Sequence, residues 1–294
     1  MVIQSDNSHV LTPERNRAIF LERIVPRWFR HAAHLKAPEL HVVGAQPGSG
    51  KSTILRKIAD TLKAQFGEDA VVSIVGDKFR AYHPLYQGML EINPYLAGEC
   101  TNADLSRWVQ QSVDFTAQQG NCVVIEGTLR EPEVNIRTAS QYIKHGFTAH
   151  LHLLAVHEFV SRTRIFRRYF DQNDENSSYG RYTPREAHDR SYNVLPESVI
   201  AIINSSLFNT VTLYDQNQAP IHVFNLPEPD AGKNVLAVFE KCRDNKRVDI
   251  ARILLEIDDL LPKAKEHGRI YIDLQELREN ILSSNEKYFP SQLQ

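Results

Sequence analysis

The sequence predicts an α/β protein in which a mostly parallel sheet is flanked by helices, with a helical segment before the core and a helical tail after it. Three observations carry this expectation. Short apolar runs alternate along the chain with longer stretches of helical periodicity. Residues 44–52, GAQPGSGKS, follow the apolar LHVV and precede TILRKIADTL, which reads as strand, glycine-rich turn and helix in succession. Polar clusters also stand at the ends of three apolar runs, and ligands of open α/β sheets collect outside the carboxyl ends of the strands.

Taken in order, Thr12-Pro13-Glu14 reads as an N-cap with proline at the first helical position, and Pro26 kinks or divides the helix that follows. Strands are expected at Leu40–Gly44, Val71–Val75, Cys122–Glu126, Thr148–Val156 and Thr210–Tyr214. Helices are expected around 51–66, 102–119, 132–145, 157–170 and 184–206. In the first of these, Ile54, Leu55, Ile58 and Leu62 recur at helical spacing. Residues 171–182, DQNDENSSYGRY, are polar and predict a mobile surface loop. Thr183-Pro184-Arg185-Glu186 reads as a capping box opening the next helix. Past Leu226 the composition shifts through PEPDAGK into helical patterns. Ile250, Ile253, Leu254, Ile257, Leu260 and Leu261 share one face ended by Pro262, and Asp273-Leu-Gln-Glu276 reads as another capping box. The expected organisation is an N-terminal helical segment (1–38), a core domain (39–226) and a C-terminal helical extension (227–294).

At 294 residues the chain holds one large or two small domains. Its 34 Lys+Arg against 36 Asp+Glu give no global pull toward nucleic acid or an anionic membrane. No basic head precedes an apolar stretch at the N-terminus, and no apolar run approaches the ~20 residues that span a bilayer. Cys100, Cys122 and Cys242 form no Cys-x-x-Cys pair. A reduced, cytoplasmic protein is the expectation.

The stretch Ala45 to Ser52 fits Ala/Gly-x-x-x-x-Gly-Lys-Ser/Thr, a loop whose backbone N–H groups turn around a phosphate at a helix N-terminus. Gly48, Ser49, Gly50, Lys51, Ser52 and Thr53 would form the cradle. Lys51 would reach the β- and γ-phosphates, and the Ser52 hydroxyl would take Mg²⁺. The second strand runs into Gly76-Asp77-Lys78-Phe79-Arg80 and the third into Gly127-Thr128-Leu129-Arg130, so three strand ends feed one rim. Phosphoryl transfer requires positioning, charge neutralisation and a group that takes the acceptor's proton. Asp77 stands as that general base, or as a helix cap. Glu126 stands as a holder of Mg²⁺ or its waters, or as an ion-pair partner of Arg130 or Lys51. Arg130 reaches a phosphate or is a plain surface arginine. Arg162, Arg164, Arg167 and Arg168 crowd one helix, with Arg181 beyond the polar loop. A solvated basic face suits Arg162 and Arg164, whereas Arg168 and Arg181 are placed to close over a triphosphate. His145, His150, His152 and His157 cluster in sequence, yet no acidic or thiol partner completes a metal site. Trp28 and Trp108 are expected in the core.

The guanine-reading Asn-Lys-x-Asp and the transporter-type Leu-Ser-Gly-Gly-Gln are both missing, which leaves a small-molecule kinase with an adenylate-kinase-like P-loop NTPase core. GAQPGSGKS, GDKFRAYHPLY, VVIEGTLR and RRYF…GRYTPREAHD, in this order from about Leu40 to Val223, together resemble the zeta-toxin family of bacterial toxin–antitoxin systems. The resemblance implies phosphorylation of UDP-N-acetylglucosamine, or a related UDP-sugar, on a sugar hydroxyl with ATP and Mg²⁺. It implies Lys51 and Ser52 on phosphate and metal, Asp77 as base, and Arg168 and Arg181 clamping the triphosphate. Glu126, Thr128 and Arg130 would contact the sugar nucleotide, with Arg80 and His83 beside the acceptor pocket. A small helical antitoxin that obstructs the nucleotide site is the implied partner. Ala45 in place of the commoner Gly, and the tail from about Gly232, depart from the family pattern. Two other readings stand beside it: a P-loop kinase for a nucleoside, dinucleotide or antibiotic, and a nucleotide-gated binding protein. A retained base at Asp77 favours chemistry over binding alone.

Overall fold

Strands β1 (Glu39–Gly44), β2 (Val71–Ile74), β3 (Cys122–Gly127), β4 (Thr148–Leu154), β5 (Thr210–Tyr214) and β6 (Pro220–Asn225) form one sheet in the order β2-β3-β1-β4-β5-β6. The structure, a computed structural model, describes residues 9–176, 182–244 and 248–288. β1 to β5 run parallel, and β6 closes the edge antiparallel to β5. β1 and β4 are buried along nearly their whole length, which is why they read as apolar runs. After β1 the chain moves out to β2, returns to β3 beside β1, and then crosses to β4 on the other side of β1. That reversal opens a crevice at the carboxyl end of β1, where the glycine-rich loop lies.

The helices are α1 (Pro13–Ile19), α2 (Val25–Trp28), α3 (Lys51–Phe66), α4 (Gly76–Phe79), α5 (Tyr86–Ile92), α6 (Pro94–Cys100), α7 (Asn102–Gln119), α8 (Pro132–Lys144), α9 (Glu158–Asn176), α10 (Arg185–Asn204), α11 (Ala231–Cys242), α12 (Ile250–Ala264) and α13 (Arg269–Tyr288). α3 lays Ile54, Leu55, Ala59 and Leu62 over Val43 and Val124 on one face of the sheet. On the opposite face Trp108, Tyr142, Val199 and Ile202 pack with Leu40, Val42, Val123 and Leu151, joined by Val235 and Phe239 from α11. A separate cluster seats Phe166 and Tyr169 of α9 against Ile257 and Leu260 of α12 and Leu274 and Leu277 of α13.

The N-terminal segment is anchored to α7. Thr12 caps α1 by accepting from the Arg15 backbone N–H at 3.2 Å. The division expected at Pro26 occurs one turn earlier. A π-helical turn at Phe20–Ile24, closed by the Val25 N–H on the Phe20 carbonyl, precedes the proline that cannot donate. Asn16, Asp104 and Trp108 are wholly buried. Asn16 Nδ2 donates to Asp104 Oδ1 at 2.8 Å, and Trp108 Nε1 donates to the Asn16 carbonyl at 2.9 Å. Asp104 also accepts from the Leu11 N–H at 3.0 Å and lies 3.4 Å from His83 Nε2. Trp108 is core as expected, while Trp28 is half-buried and donates to Tyr82 Oη at 2.9 Å.

Several expectations give way to tertiary packing. α9 continues to Asn176, so residues 171–176 are helical rather than loop, because Tyr169 and Phe170 dock on the C-terminal helices. Residues 177–181 of that polar stretch lie outside the described residues. Thr183 caps nothing: α10 starts at Arg185 without a side-chain cap. Pro262 lies inside α12, which runs on to the buried Ala264. Asp273 lies within α13, where it accepts from Tyr182 Oη at 2.9 Å and Arg269 Nε at 3.2 Å instead of starting a helix. β6 and the short helices α4 to α6 carry no clear period and were not foreseen. The β4 histidines do have an acidic neighbour, since Glu39 gathers with His41 and His150 on one sheet face. Burial beside those rings pushes His152 down to about 3.

Asp104→Ala should therefore destabilise the protein by roughly 3 kcal/mol or more, because it strands Asn16, the Leu11 N–H and His83 in the interior at once. A urea titration with an unchanged midpoint would show that this network does not anchor the N-terminal segment.

Candidate functional site

The loop between β1 and α3 is built on two glycines in left-handed conformations, Gly48 at φ +76° and Gly50 at φ +95°. A Cβ on Gly48 would lie 2.0 Å from the Ser161 carbonyl of α9, so no other residue fits without moving that helix. A Cβ on Gly50 would lie 2.6 Å from Nε2 of Gln218, whose side chain comes from the β5–β6 turn. Gln46 is wholly buried and donates to the Val156 carbonyl at 2.7 Å and to Ser161 Oγ at 3.2 Å. Ser161 Oγ meets His188 Nε2 at 2.9 Å, and His188 Nδ1 meets Asp189 Oδ1 at 2.8 Å. Lys51 Nζ donates to the Ala45 and Gln46 carbonyls at 3.0 and 2.9 Å, curling over the loop.

Parallel pairing in register sets Gly127 beside Gly44 and Glu126 beside Val43, which brings the end of β3 to the loop. Glu126 Oε2 lies 3.5 Å from Ser52 Oγ. Burial raises the Glu126 carboxyl above its ordinary value, with Lys51 acting against the rise and Asp77 adding to it. Those couplings put Lys51, Ser52, Glu126 and Asp77 in one electrostatic neighbourhood. Two carboxylates and a hydroxyl around one lysine form a hard oxygen donor set of the kind Mg²⁺ takes. Asp77 lies in the first turn of α4 and receives Arg80 Nε at 3.2 Å. Beyond β3, Leu129 adopts φ +54° and is buried over Gly44, which leaves Thr128 and Arg130 on the rim, joined by Arg130 Nε to Thr128 Oγ1 at 3.1 Å.

Other anticipated residues are held by protein partners, Arg80 through its bond to Asp77 among others. Arg80 is buried and donates to the Gly98 carbonyl, Thr101 and Asn102 at 2.6–2.7 Å, so it braces the segment behind Asp77. His83 is buried against Asp104 and Trp108, with Nδ1 accepting from the Leu85 N–H at 3.3 Å. Arg168 donates to Thr183 Oγ1 at 3.2 Å, which ties α9 to the start of α10. Arg181 lies outside the described residues. The arginines read as a solvated face are not one. Arg162 is buried, and Arg164 donates to the Gln216 carbonyl at 2.8 Å and the Ser49 carbonyl at 3.4 Å, at the edge of the phosphate loop. Arg167 is the solvent-facing member and pairs with Glu256 at 3.3 Å. Gln216 and Gln218 were missed at the sequence level, since a polar turn after an apolar strand carries no mark of what it touches.

Among the described residues no helix is long and apolar enough to cross a membrane. A family model described as zeta toxin matches residues 27–226, more than half of the chain. The toxin zeta of Streptococcus agalactiae is 24% identical over 202 residues, 69% of this chain and 69% of its own length. A solved structure from the PezAT chromosomal toxin–antitoxin system of Streptococcus pneumoniae superposes with a TM-score of 0.69 at 22% identity, covering 86% of this chain and 99% of that one. The AvrRxo1-ORF1:-ORF2 complex solved with ATP superposes with a TM-score of 0.50 at 12% identity, covering 90% and 86%.

The raised Glu126 yields a test with a definite sign. A carboxyl raised on folding makes the native state bind the extra proton, so its contribution to stability falls as pH rises from the ordinary value of 4.5 through the raised one. Glu126→Gln should therefore raise the Tm of the ligand-free protein at pH 7, and the gain should vanish below about pH 4.5. A variant that melts lower than the parent at pH 7 would mean that Glu126 is held by a structural partner.

Proposed function

The chain belongs to the zeta toxin family, and from that premise we propose that it is an ATP- and Mg²⁺-dependent kinase that phosphorylates a sugar hydroxyl of UDP-N-acetylglucosamine or a related UDP-sugar, acting as the toxin of a toxin–antitoxin system. The observation that carries the proposal is the convergence of Lys51, Ser52, Glu126 and Asp77 at one rim. A relative of the same fold solved with ATP supports the choice of nucleotide.

In this reading the loop N–H groups and Lys51 hold the phosphates of ATP, with Gly48, Ser49, Gly50 and Thr53 completing the cradle. Ser52 and Glu126 would hold Mg²⁺, directly or through water, and the ion would supply positive charge to the phosphates. Asp77 takes the proton from the acceptor hydroxyl, whose oxygen forms a bond to the γ-phosphorus as the bond to the ADP oxygen breaks. Thr128 and Arg130 lie on the acceptor side, and Arg80 and His83 support the pocket wall from behind. Arg168, together with Arg181, would steady the triphosphate. A triphosphate and an acceptor diphosphate repel each other in a partly desolvated cleft, and this number of cations offsets that repulsion where a neutral acceptor would need fewer. Because a structural relative comes from a toxin–antitoxin system, a small helical antitoxin covering the nucleotide site is the proposed partner.

Asp77→Asn should keep ATP affinity and slow transfer by roughly 10²–10⁴-fold, the usual worth of a general base. A parallel loss of ATP binding would make Asp77 a metal or structural residue. For the acceptor, mass spectrometry of reactions with ATP, Mg²⁺ and one candidate each should find one added phosphate on UDP-sugars and none on free N-acetylglucosamine. Phosphate appearing on a nucleoside, dinucleotide or antibiotic, with the UDP-sugar untouched, would replace this proposal.

A further inference from the structure

A second polar cluster lies toward the far end of β1, about 10–16 Å along the strand from Gly44, where the phosphate loop begins, at ~3.3 Å per strand residue. Glu39 and His41 stand two residues apart in β1, and His41 is the register partner of His150 in β4, so all three project from the same side of the sheet. His41 stacks between two rings, with centroids 4.8 Å from His150 and 5.2 Å from His152. We propose that Glu39, His41 and His150 form a binding site for a divalent transition metal of the zinc class, which fastens β1 to β4.

The distances suit a small adjustment. One candidate ligand atom from each residue lies within 4.8 Å of the other two. Two ligands on a tetrahedral zinc with bonds near 2.0–2.1 Å stand about 3.3 Å apart. His41 Nε2 and Glu39 Oε2 are 2.9 Å apart, so a few tenths of an ångström would admit the ion between them. The remaining closure falls to His150, a half-buried side chain whose Nδ1 contacts Thr210 Oγ1 at 2.8 Å, which leaves Nε2 as its candidate ligand atom. Glu39 and His150 are part-exposed while His41 is buried, which leaves an entry path and a fourth position for water.

The outer contacts point the same way. Metal on His41 Nε2 requires the proton to sit on Nδ1 and to be donated. His152 Nε2 stands 2.9 Å from that nitrogen as its acceptor, and His152 Nδ1 reaches Tyr214 Oη at 3.1 Å. A ligating histidine ordinarily has such a partner on its second nitrogen, and it fixes both tautomer and ring orientation. A plain hydrogen-bond relay from Tyr214 through His152 and His41 to Glu39 uses those same atoms but gives the third ring, His150, no part. Two imidazoles with one carboxylate favour Zn²⁺, Co²⁺ or Ni²⁺ over Mg²⁺, so the site is chemically separate from the Ser52–Glu126 rim.

The test uses the full chain without a polyhistidine tag, stripped with a chelator and titrated calorimetrically with Zn²⁺, with Co²⁺ absorption as a second readout. One saturable Zn²⁺ per chain is expected, with visible Co²⁺ bands of tetrahedral character and a Tm that rises with Zn²⁺. His150→Gln, a substitution at a part-exposed position, should weaken Zn²⁺ binding by tenfold or more, and Glu126→Gln should leave it unchanged. Binding lost in Glu126→Gln but kept in His150→Gln would place the ion at the nucleotide rim and overturn the proposal. Several weak ions unaffected by His150→Gln, or no saturable binding, would overturn it as well.

Discussion

The close approach of the phosphate loop to α9 is the constraint on which the rest of the site depends. Because a side chain at position 48 would collide with the Ser161 carbonyl, the loop is fixed from behind as well as from its own turn. Gln46 then locks onto Val156 and Ser161, Arg164 reaches from α9 to Ser49 and Gln216, and Gln218 rests on Gly50. β1, β4, β5 and α9 therefore meet at one stretch of backbone, whose N–H groups are held in place before any ligand arrives. Holding donors in advance spares the reorganisation that a looser loop would undergo at each binding event.

That rigidity carries an electrostatic strain. Glu126 sits in a buried environment next to Asp77, and both effects oppose its ionisation, with Lys51 as partial compensation. Lys51 turns to backbone carbonyls of its own loop. Burial and like charge thus oppose a second carboxylate at this place, and positive charge eases it. The same reasoning separates Arg80 from Arg130. The first is buried and divides its donors between the interior and Asp77, while the second keeps an exposed guanidinium at the rim beside Thr128.

Much of this was legible in the sequence, for reasons that also explain the failures. Parallel strands buried on both faces announce themselves as apolar runs, and glycine punctuates the loop, so five strands, their order of appearance and the glycine-rich turn between β1 and α3 could be read directly. β6 is an edge strand with mostly exposed residues and begins at Pro220, so it shows neither period nor apolar run. Thr183 and Asp273 carry capping signatures, yet both side chains are taken by long-range partners, Arg168 and Tyr182. Arg162 and Arg164 looked like a solvated face because composition records charge but not the carbonyls a guanidinium will meet. Glu39 stands two residues from His41 but over a hundred from His150, so only strand pairing could show that the three belong together.

The His188-Asp189 pair illustrates how burial decides what a constellation means. Ser161, His188 and Asp189 are linked as in a nucleophilic triad, serine oxygen to one ring nitrogen and carboxylate to the other. In a triad the serine must reach a substrate carbonyl, and here Ser161 and His188 are wholly buried. Ser161 also lies within 3.1 Å of the His157 and Glu158 carbonyls and accepts from Gln46, so its hydroxyl is fully engaged. Burial tends to raise Asp189, but its bond to His188 and the charge of Arg162 outweigh that and leave it below the ordinary range. An ionised Asp189 orients His188, His188 orients Ser161, and Ser161 holds Gln46 of the phosphate loop. The three residue types that would cut an ester in an open cleft serve here as a rod from α10 through α9 to the glycine-rich loop. The start of α10 and the phosphate loop are thus joined by an unbroken chain of hydrogen bonds.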